Sequence, residues 1–267
     1  MKALIEPATR LLHALALSAL ALAVCVPTAL AAVRYEQGKA WDPRKTRVLY
    51  LESHWTRFAG SVPVHRTVLY QCADGTPFAR KEIRYSPSAL APAFSFHDAR
   101  HDYREGLQWQ DGKASLWYSE AGVRKSKPLS ASPNLVADAG FDEFIRSRWS
   151  ALSENNRQSL KFALPSRLGS YSFTLQNAGN QVYRNEPAQA FSLGLAGLLG
   201  LVGPDIEVLY SSDSRRLLRF KGISNIRDDA GEAQIDAVIE FPLQDAVVQP
   251  AEKTKAQSLV LKSCQVS

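Results

Sequence analysis

The densest group of side chains suited to acid–base or metal chemistry lies in one segment, His97-Asp98-Ala99-Arg100-His101-Asp102. His97 and His101 are four residues apart, so they share a face on either a helix or a strand, and zinc sites use such spacings. Zinc peptidase motifs place a glutamate base directly after the first histidine, where this chain has Asp98. Arg100 would also repel a cation. The pattern therefore predicts a charged loop leading into a strand at Tyr103, and a hydrolase built on His97 or His101 is the weaker alternative.

Motifs for nucleophilic or cofactor chemistry are absent from the chain. The segment Gly169-Ser170-Tyr171-Ser172-Phe173 lacks the second glycine of the G-x-S-x-G nucleophile turn. No lysine follows a serine at a distance of three residues, and no phosphate loop or dinucleotide fingerprint occurs. His54 and His65 lie within strand-like runs, where cross-strand pairing is their ordinary role. We therefore expect a non-enzymatic protein with no cofactor and no metal.

The N-terminal residues have the three-part pattern of a secretory signal peptide. A positively charged start with Lys2 and Arg10 is followed by an apolar stretch over residues 11–26 and then by Ala29-Leu30-Ala31. This order predicts a signal peptide over residues 1–31, cleaved near Ala31, and an exported periplasmic chain over residues 32–267. The apolar stretch is short for a membrane span, so we expect no stable span after cleavage.

Two of the three cysteines remain in the predicted exported chain. Cys25 follows Val24, whereas a lipidation site has a small residue at that position, so a lipoprotein is not predicted. Cleavage leaves Cys72 and Cys264 as a single pair in an oxidising compartment. The sequence therefore predicts a disulfide that ties the C-terminal tail to an early strand.

The composition is that of an ordinary globular protein. Among 267 residues, 45% are hydrophobic and 22% are charged, which argues against disorder, collagen and a disulfide-dense mini-protein. The net charge of +6 is scattered along the chain apart from a short run at Arg124, Lys125 and Lys127. Because nucleic-acid binders concentrate their positive charge on one face, we expect no nucleic-acid partner.

The hydrophobic pattern predicts a β-rich chain with one central helix. Strands are expected at residues 48–57, 64–72, 78–85, 103–109, 113–119, 160–164, 171–175, 204–210, 215–222 and 233–241, with an edge strand at 259–261. Between the two halves, Phe141, Phe144, Ile145, Trp149 and Leu152 recur at helical spacing. Asp138 is the expected helix cap. The predicted fold is a β-rich α+β domain with a curved, half-barrel-like antiparallel sheet.

An uncharged segment over residues 188–203 carries glycine at every third position from Gly194 to Gly203. We expect an apolar helical segment here. It is either a mobile lid over a hydrophobic cavity or a core helix joining two strands. With the aromatic residues near the second hairpin, it supplies the predicted ligand-binding residues, which are Trp109, Trp117, Phe191, Leu195, Leu198 and Leu199.

The order of these elements over residues 45–241 resembles the periplasmic lipoprotein carriers of the LolA/LolB type. The runs Arg66-Thr67-Val68-Leu69-Tyr70 and Arg80-Lys81-Glu82-Ile83-Arg84-Tyr85 resemble proteobacterial exported proteins and imply no particular activity. The carrier resemblance implies a half-barrel whose helices cap an apolar cavity. We therefore expect a periplasmic protein that binds a lipid or another hydrophobic ligand. The alternative is an envelope interaction protein that engages its partner through a strand edge or a basic patch.

Overall fold

The computed structural model of the protein describes residues 32–196, 206–242 and 246–266. The predicted signal peptide therefore lies outside the described residues. The described part of the chain forms one large curved antiparallel sheet that does not close, with three short helices.

The first half of the chain is an antiparallel meander in which each strand pairs with the next. Its strands are β1 (Val33–Trp41), β2 (Val48–Ala59), β3 (Val62–Cys72), β4 (Pro77–Arg84), β5 (Ala93–Asp98), β6 (Tyr103–Gln110), β7 (Lys113–Glu120) and β8 (Val123–Pro128). The predicted strands of this half are confirmed within two residues at each end. Strands β1, β5 and β8 were not predicted. The last of these is the basic run, which forms the open edge of the sheet with all six residues exposed.

The second half forms another meander that begins with a short strand and the helices. Its elements are β9 (Leu135–Val136), α1 (Gly140–Ser147), α2 (Trp149–Ser153), β10 (Gln158–Leu164), a 3-10 helix (Pro165–Arg167), β11 (Gly169–Tyr183), β12 (Glu186–Leu195), β13 (Ile206–Ser211), β14 (Leu217–Arg227), β15 (Gln234–Glu240), β16 (Ala246–Val248) and α3 (Pro250–Ser258). Strand β9 runs parallel to β10, and every other pairing is antiparallel.

The two meanders are joined side by side by strands from opposite ends of the chain. Strand β1 pairs with β15 in the register Lys39 to Glu240 and Trp41 to Val238. The resulting strand order is 8-7-6-5-4-3-2-1-15-14-13-12-11-10-9, with β16 also on β1. A curved sheet of this length has a concave face that must be filled or must hold a ligand.

The central helix is confirmed, but it is split in two at Arg148. Phe144, Ile145, Trp149 and Leu152 are buried against β10 to β13, as their spacing predicts. The prediction that Asp138 caps the helix is wrong. Helix α1 begins after Ala139 with no side-chain cap, because Asp138 turns its carboxylate toward Lys81 instead.

Two further expectations are corrected. Residues 188–195 are not helical: they belong to strand β12, paired with β11 on one side and β13 on the other. Both neighbouring strands satisfy the backbone of this stretch, and residues 197–203 of the predicted segment lie outside the described residues. Residues 259–261 form no strand, although the Lys262 amide donates to the Pro77 carbonyl at 2.8 Å. They follow α3, whose Ala256 packs on the convex face of β1 to β3 against Val33, Trp55 and Leu69.

The predicted disulfide between Cys72 and Cys264 is confirmed. It joins the end of β3 to the C-terminal tail, with the two Cα atoms 6.4 Å apart. Just beyond it, Val266 is buried in the main core, and its amide donates to the Asp229 carboxylate at 2.8 Å. The tail therefore packs into the fold as an ordered element.

Candidate functional site

Two buried ion pairs hold helix α1 inside the curve of the sheet. The Arg66 guanidinium on β3 donates to one carboxylate oxygen of Asp142 at 3.3 Å, and the Tyr210 hydroxyl on β13 donates to the other at 2.6 Å. Burial opposes the ionised forms. The charges of Arg146 and Arg66 nevertheless hold the pKa of Asp142 below its usual value. The carboxylate is therefore ionised at neutral pH and bonds to both meanders.

The second pair joins β4 to Asp138, two residues before helix α1. The Lys81 ammonium lies 2.5 Å from the Asp138 carboxylate, in an aromatic surround that includes Tyr70 and Phe96. Burial by itself lowers the pKa of Lys81, but the interactions with Asp138 and Tyr70 outweigh it and raise the pKa above its usual value. Because both pairs are buried and bonded, they fix the helix in place and are not available to a ligand.

The first cavity, the tryptophan cavity, has a volume of about 380 Å³ and lies over strands β4 to β8. Its apolar lining is Pro87, Ala93, Phe94, Leu107, Trp109 and Trp117. Arg84 and Arg124 are exposed side chains in the same lining, together with Glu82 and Gln108. A volume in this range, with mixed apolar and polar walls, is typical of small-molecule sites.

Gly106 gives the tryptophan cavity its shape. A Cβ atom at this position would lie 2.1 Å from the Phe94 carbonyl oxygen and 3.0 Å from the Trp117 ring, so only glycine lets the indole pack down on the sheet. Above the same ring, the Arg124 guanidinium lies 4.1 Å from the centroid. It also donates to the Gln108 side chain at 3.3 Å. These contacts position a cation directly over an aromatic wall.

The second cavity, the Glu105 cavity, has a volume of about 770 Å³. It lies between β6 and β7 of the first meander and β14 and β15 of the second, and the 3-10 helix contributes Ser166 and Arg167. Most of its lining is polar, including Tyr103, Glu105, Asn225, Arg227 and Glu232. A hydrocarbon ligand would have to desolvate these groups without replacing their hydrogen bonds, so this cavity suits a polar molecule.

Glu105 is a buried carboxyl in the wall of that cavity. The Tyr103 hydroxyl donates to its Oε2 atom at 2.7 Å, and burial raises the pKa of Glu105. The Arg227 guanidinium covers the Tyr103 ring at 3.9 Å and donates to Glu120 at 2.6 Å. The two meanders therefore meet at this wall, because β6 supplies the tyrosine and carboxyl and β14 supplies the arginine.

The structure brings together only part of the predicted ligand-binding set. Trp109 and Trp117 line the tryptophan cavity. Phe191 is fully buried between Trp149 and Tyr210, at centroid distances of 5.4 Å and 6.1 Å, in the separate core beneath helix α1. Leu195 lies at the exposed end of β12. Leu198 and Leu199 are outside the described residues.

The histidine segment is a loop only in part, since residues 99–102 form the turn that leads into β6 at Tyr103 as predicted. His97 and Asp98 end strand β5, and Arg100 is fixed in the following turn by both oxygens of Asp98, at 3.0 Å and 2.7 Å. His101 bonds through Nε2 to the Asp228 carbonyl at 3.1 Å. Within the described ranges, no group of three His, Cys, Asp or Glu side chains is arranged to hold a metal ion.

Sequence reasoning missed Glu105, Asn225 and Arg227. They come from strands more than a hundred residues apart that are brought together only by the β1–β15 pairing. The one available signal was Glu105 at an inward-facing position among apolar residues, between Tyr103 and Leu107. A charged residue on the apolar face of a strand is an indication of a buried polar site.

Comparison with solved structures finds a likeness to the crystal structure of a β-barrel-like protein of the domain of unknown function DUF1849 from Brucella abortus. The TM-score is 0.50 at 6% sequence identity, and the match covers 82% of this chain and 98% of that chain. At this identity the likeness concerns the fold alone, and it agrees with the curved, unclosed sheet. No protein-family model and no curated protein matches the chain.

Proposed function

We propose that the protein is a non-enzymatic binding protein of the periplasm that holds a lipid or another hydrophobic ligand with an anionic group. The observation that carries this proposal is the tryptophan cavity, where the Trp117 ring and the exposed Arg84 and Arg124 line one hollow of about 380 Å³. The barrel-like fold is compatible with a carrier role.

The lining divides into parts that suit the two ends of such a ligand. The Trp117 ring and the exposed Pro87 offer apolar surface, whose burial against a hydrocarbon contributes about 25 cal/mol per Å². Arg84 and Arg124 supply positive charge at the same cavity. Guanidinium groups bind carboxylates and phosphates through paired hydrogen bonds. A fatty acid and an anionic phospholipid share this chemistry.

Export is part of the proposal. The disulfide between Cys72 and Cys264 supports this part, because such bonds form and persist in oxidising compartments. Among the described residues, no helix is long and apolar enough to cross a bilayer. A protein recovered from the periplasm should begin at Ala32, and its intact mass measures this directly.

The test combines native mass spectrometry with tryptophan fluorescence on the protein purified from periplasm. Solvent extraction of a bound mass identifies a co-purified lipid. The protein stripped of lipid is then titrated with palmitate and with lysophosphatidylglycerol, and the fluorescence change reports the affinity. Arg124→Gln should weaken binding of both probes about tenfold, the loss of one charge-assisted hydrogen bond. Trp117→Leu should reduce both the affinity and the signal.

The matched control is Arg104→Gln. Arg104 is a similarly exposed arginine on strand β6, two strands from β8, and it contacts Asp102 at 3.4 Å without being part of the cavity lining. Its substitution should leave both affinities unchanged. A bare protein mass together with no saturable binding of either probe would overturn the proposal. Equal losses in the Arg104 and Arg124 variants would also do so.

The open edge of the sheet favours a second candidate, an envelope interaction protein. Strand β8 is exposed along its whole length and carries Arg124, Lys125 and Lys127. Its unpaired backbone edge could add a strand from an envelope protein. If this candidate is correct, the protein binds neither lipid probe, and it binds an acidic peptide along the edge of β8. Replacing both lysines by glutamate would abolish that binding.

A further inference from the structure

The Glu105 cavity presents an unpaired acceptor on one wall. Tyr103 donates to the Oε2 atom of Glu105, and the described residues supply no hydrogen bond to its Oε1 atom. Glu105 is 8% exposed and lies in the lining of the cavity. A ligand hydroxyl in the cavity can donate to this carboxyl oxygen, to which no group of the described residues donates.

An unpaired donor lies in the same cavity on the opposite meander. The Nδ2 atom of Asn225 on β14 is buried beside the Tyr70 hydroxyl, and it makes no hydrogen bond of good geometry within the described chain. Gln234 and Ser166 add further uncharged polar groups to the lining. A ligand that satisfies Glu105 and Asn225 together must carry donors and acceptors close to each other, and hydroxyl groups provide both at one atom.

The charges of the lining point to a ligand without net charge. Arg227 is already paired with Glu120 at 2.6 Å. The remaining ionisable groups of the lining include one arginine, Arg167, and two carboxyl groups, Glu105 and Glu232. Burial raises the pKa of Glu105, which favours its neutral form further. Arg167 would repel a strongly cationic ligand, and Glu232 would repel a strongly anionic one. Its volume of about 770 Å³ lies within the range of small-molecule sites.

We propose that the Glu105 cavity is a second ligand site, separate from the tryptophan cavity, that binds a neutral hydroxyl-rich molecule of the saccharide class. Glu105 accepts from one hydroxyl of the ligand, and the Asn225 amide donates to another. The two walls belong to different meanders, so an occupied site links β6 to β14.

The experiment is nuclear magnetic resonance titration of the isotope-labelled, disulfide-bonded chain without the predicted signal peptide. The neutral probes are maltotriose and triacetylchitotriose, and the charged comparison probes are lysine and citrate. We expect saturable shifts of amides around Tyr103, Asn225 and Gln234 with at least one trisaccharide. Neither charged probe should produce them.

Three variants test the assignment. Asn225→Leu keeps a similar volume and removes the donor, so binding should weaken about tenfold. Glu105→Gln keeps an acceptor oxygen and should bind within about threefold of the original affinity, since one hydrogen bond contributes on the order of 1 kcal/mol. Ala233→Phe fills the cavity and should abolish binding. Asn180→Leu, at an exposed asparagine of β11, is the matched control and should bind normally.

The outcomes separate this site from the proposed function. Failure of both trisaccharides to give saturable shifts overturns the inference, as does binding of a charged probe alone. Unchanged affinity in Asn225→Leu would also overturn it. Arg124→Gln, which weakens the lipid probes, should leave trisaccharide binding intact, so either proposal can fail without the other.

Discussion

Arg66 and Asp142 form a buried ion pair at 3.3 Å that joins strand β3 to helix α1 across 76 residues of sequence. The Tyr210 hydroxyl, on β13 of the second meander, donates to the other oxygen of the Asp142 carboxylate at 2.6 Å. One side chain of the helix is thereby bonded to both halves of the sheet. This arrangement fills the concave face near the helix and leaves the open volume at the other end, between β6 and β14.

We expect Asp142→Ala to cost about 3–5 kcal/mol of unfolding free energy, because it leaves the Arg66 charge buried without its partner. Urea unfolding followed by circular dichroism measures this loss. Glu143→Gln is the control, since Glu143 pairs with Arg146 across one helical turn at a partly exposed site. It should cost about 0.2–0.5 kcal/mol. Equal effects of the two substitutions would contradict the structural role assigned to Asp142.

Phe191→Ala should destabilise the protein by about 3–5 kcal/mol, because the ring fills the core between Trp149 and Tyr210. Lipid binding measured well below the melting temperature should be unchanged, since Phe191 is not among the residues lining the tryptophan cavity. A variant of normal stability that lost lipid binding would instead place Phe191 in a ligand site.

Removal of the disulfide by Cys72→Ala and Cys264→Ala together should cost about 3–5 kcal/mol, since the bond closes a loop of 192 residues. The measurement is the urea midpoint of the double variant beside that of the oxidised and the chemically reduced protein. Reduction and substitution should give similar midpoints. A double variant as stable as the oxidised protein would show that burial of Val266 alone holds the tail.

The stability should fall as the pH is lowered from about 6.5 to about 4, in part through His65. Burial is the main reason that the pKa of His65 is lowered to about 4, and the charges of Lys253, Arg57 and Arg84 act in the same direction. The unfolded chain, with a histidine pKa of about 6.5, binds a proton in this interval that the folded protein does not. Stability therefore rises with pH there.

The variant His65→Gln should reduce that slope, measured as the urea midpoint at several pH values between those limits. The Glu82 carboxylate lies 3.4 Å from Nε2 of His65 and favours the charged imidazole. An unchanged slope in His65→Gln would show that this contact outweighs burial.

Local sequence patterns were sufficient to predict five of the eight strands of the first half and the central helix. Asp-Gly turns and alternating residues predict β3, β4, β6 and β7 closely, because hairpins depend on contacts between neighbouring segments. The spacing of Phe144, Ile145 and Trp149 predicts the buried face of the helix for the same reason. The disulfide followed from there being one cysteine pair in the predicted exported chain.

The candidate sites depend on contacts that are distant in sequence. Trp109 and Trp117 could be placed near each other because one hairpin carries both. Arg84 joins them only through the pairing of β4 with β5 and of β5 with β6. Residues 188–195 were predicted to be helical from their glycine pattern. Two neighbouring strands, which no local pattern reveals, make them part of the sheet.

The exposed strand β8 also bears on how copies of the protein behave toward one another. If two molecules met edge to edge in an antiparallel arrangement, Arg124, Lys125 and Lys127 of one would face the same cations of the other. That repulsion disfavours growth of the sheet from molecule to molecule, the hazard of any long unpaired edge. The lysines and arginine thus act as a safeguard against self-association, and crowding in a concentrated solution should not drive the open sheet into fibres.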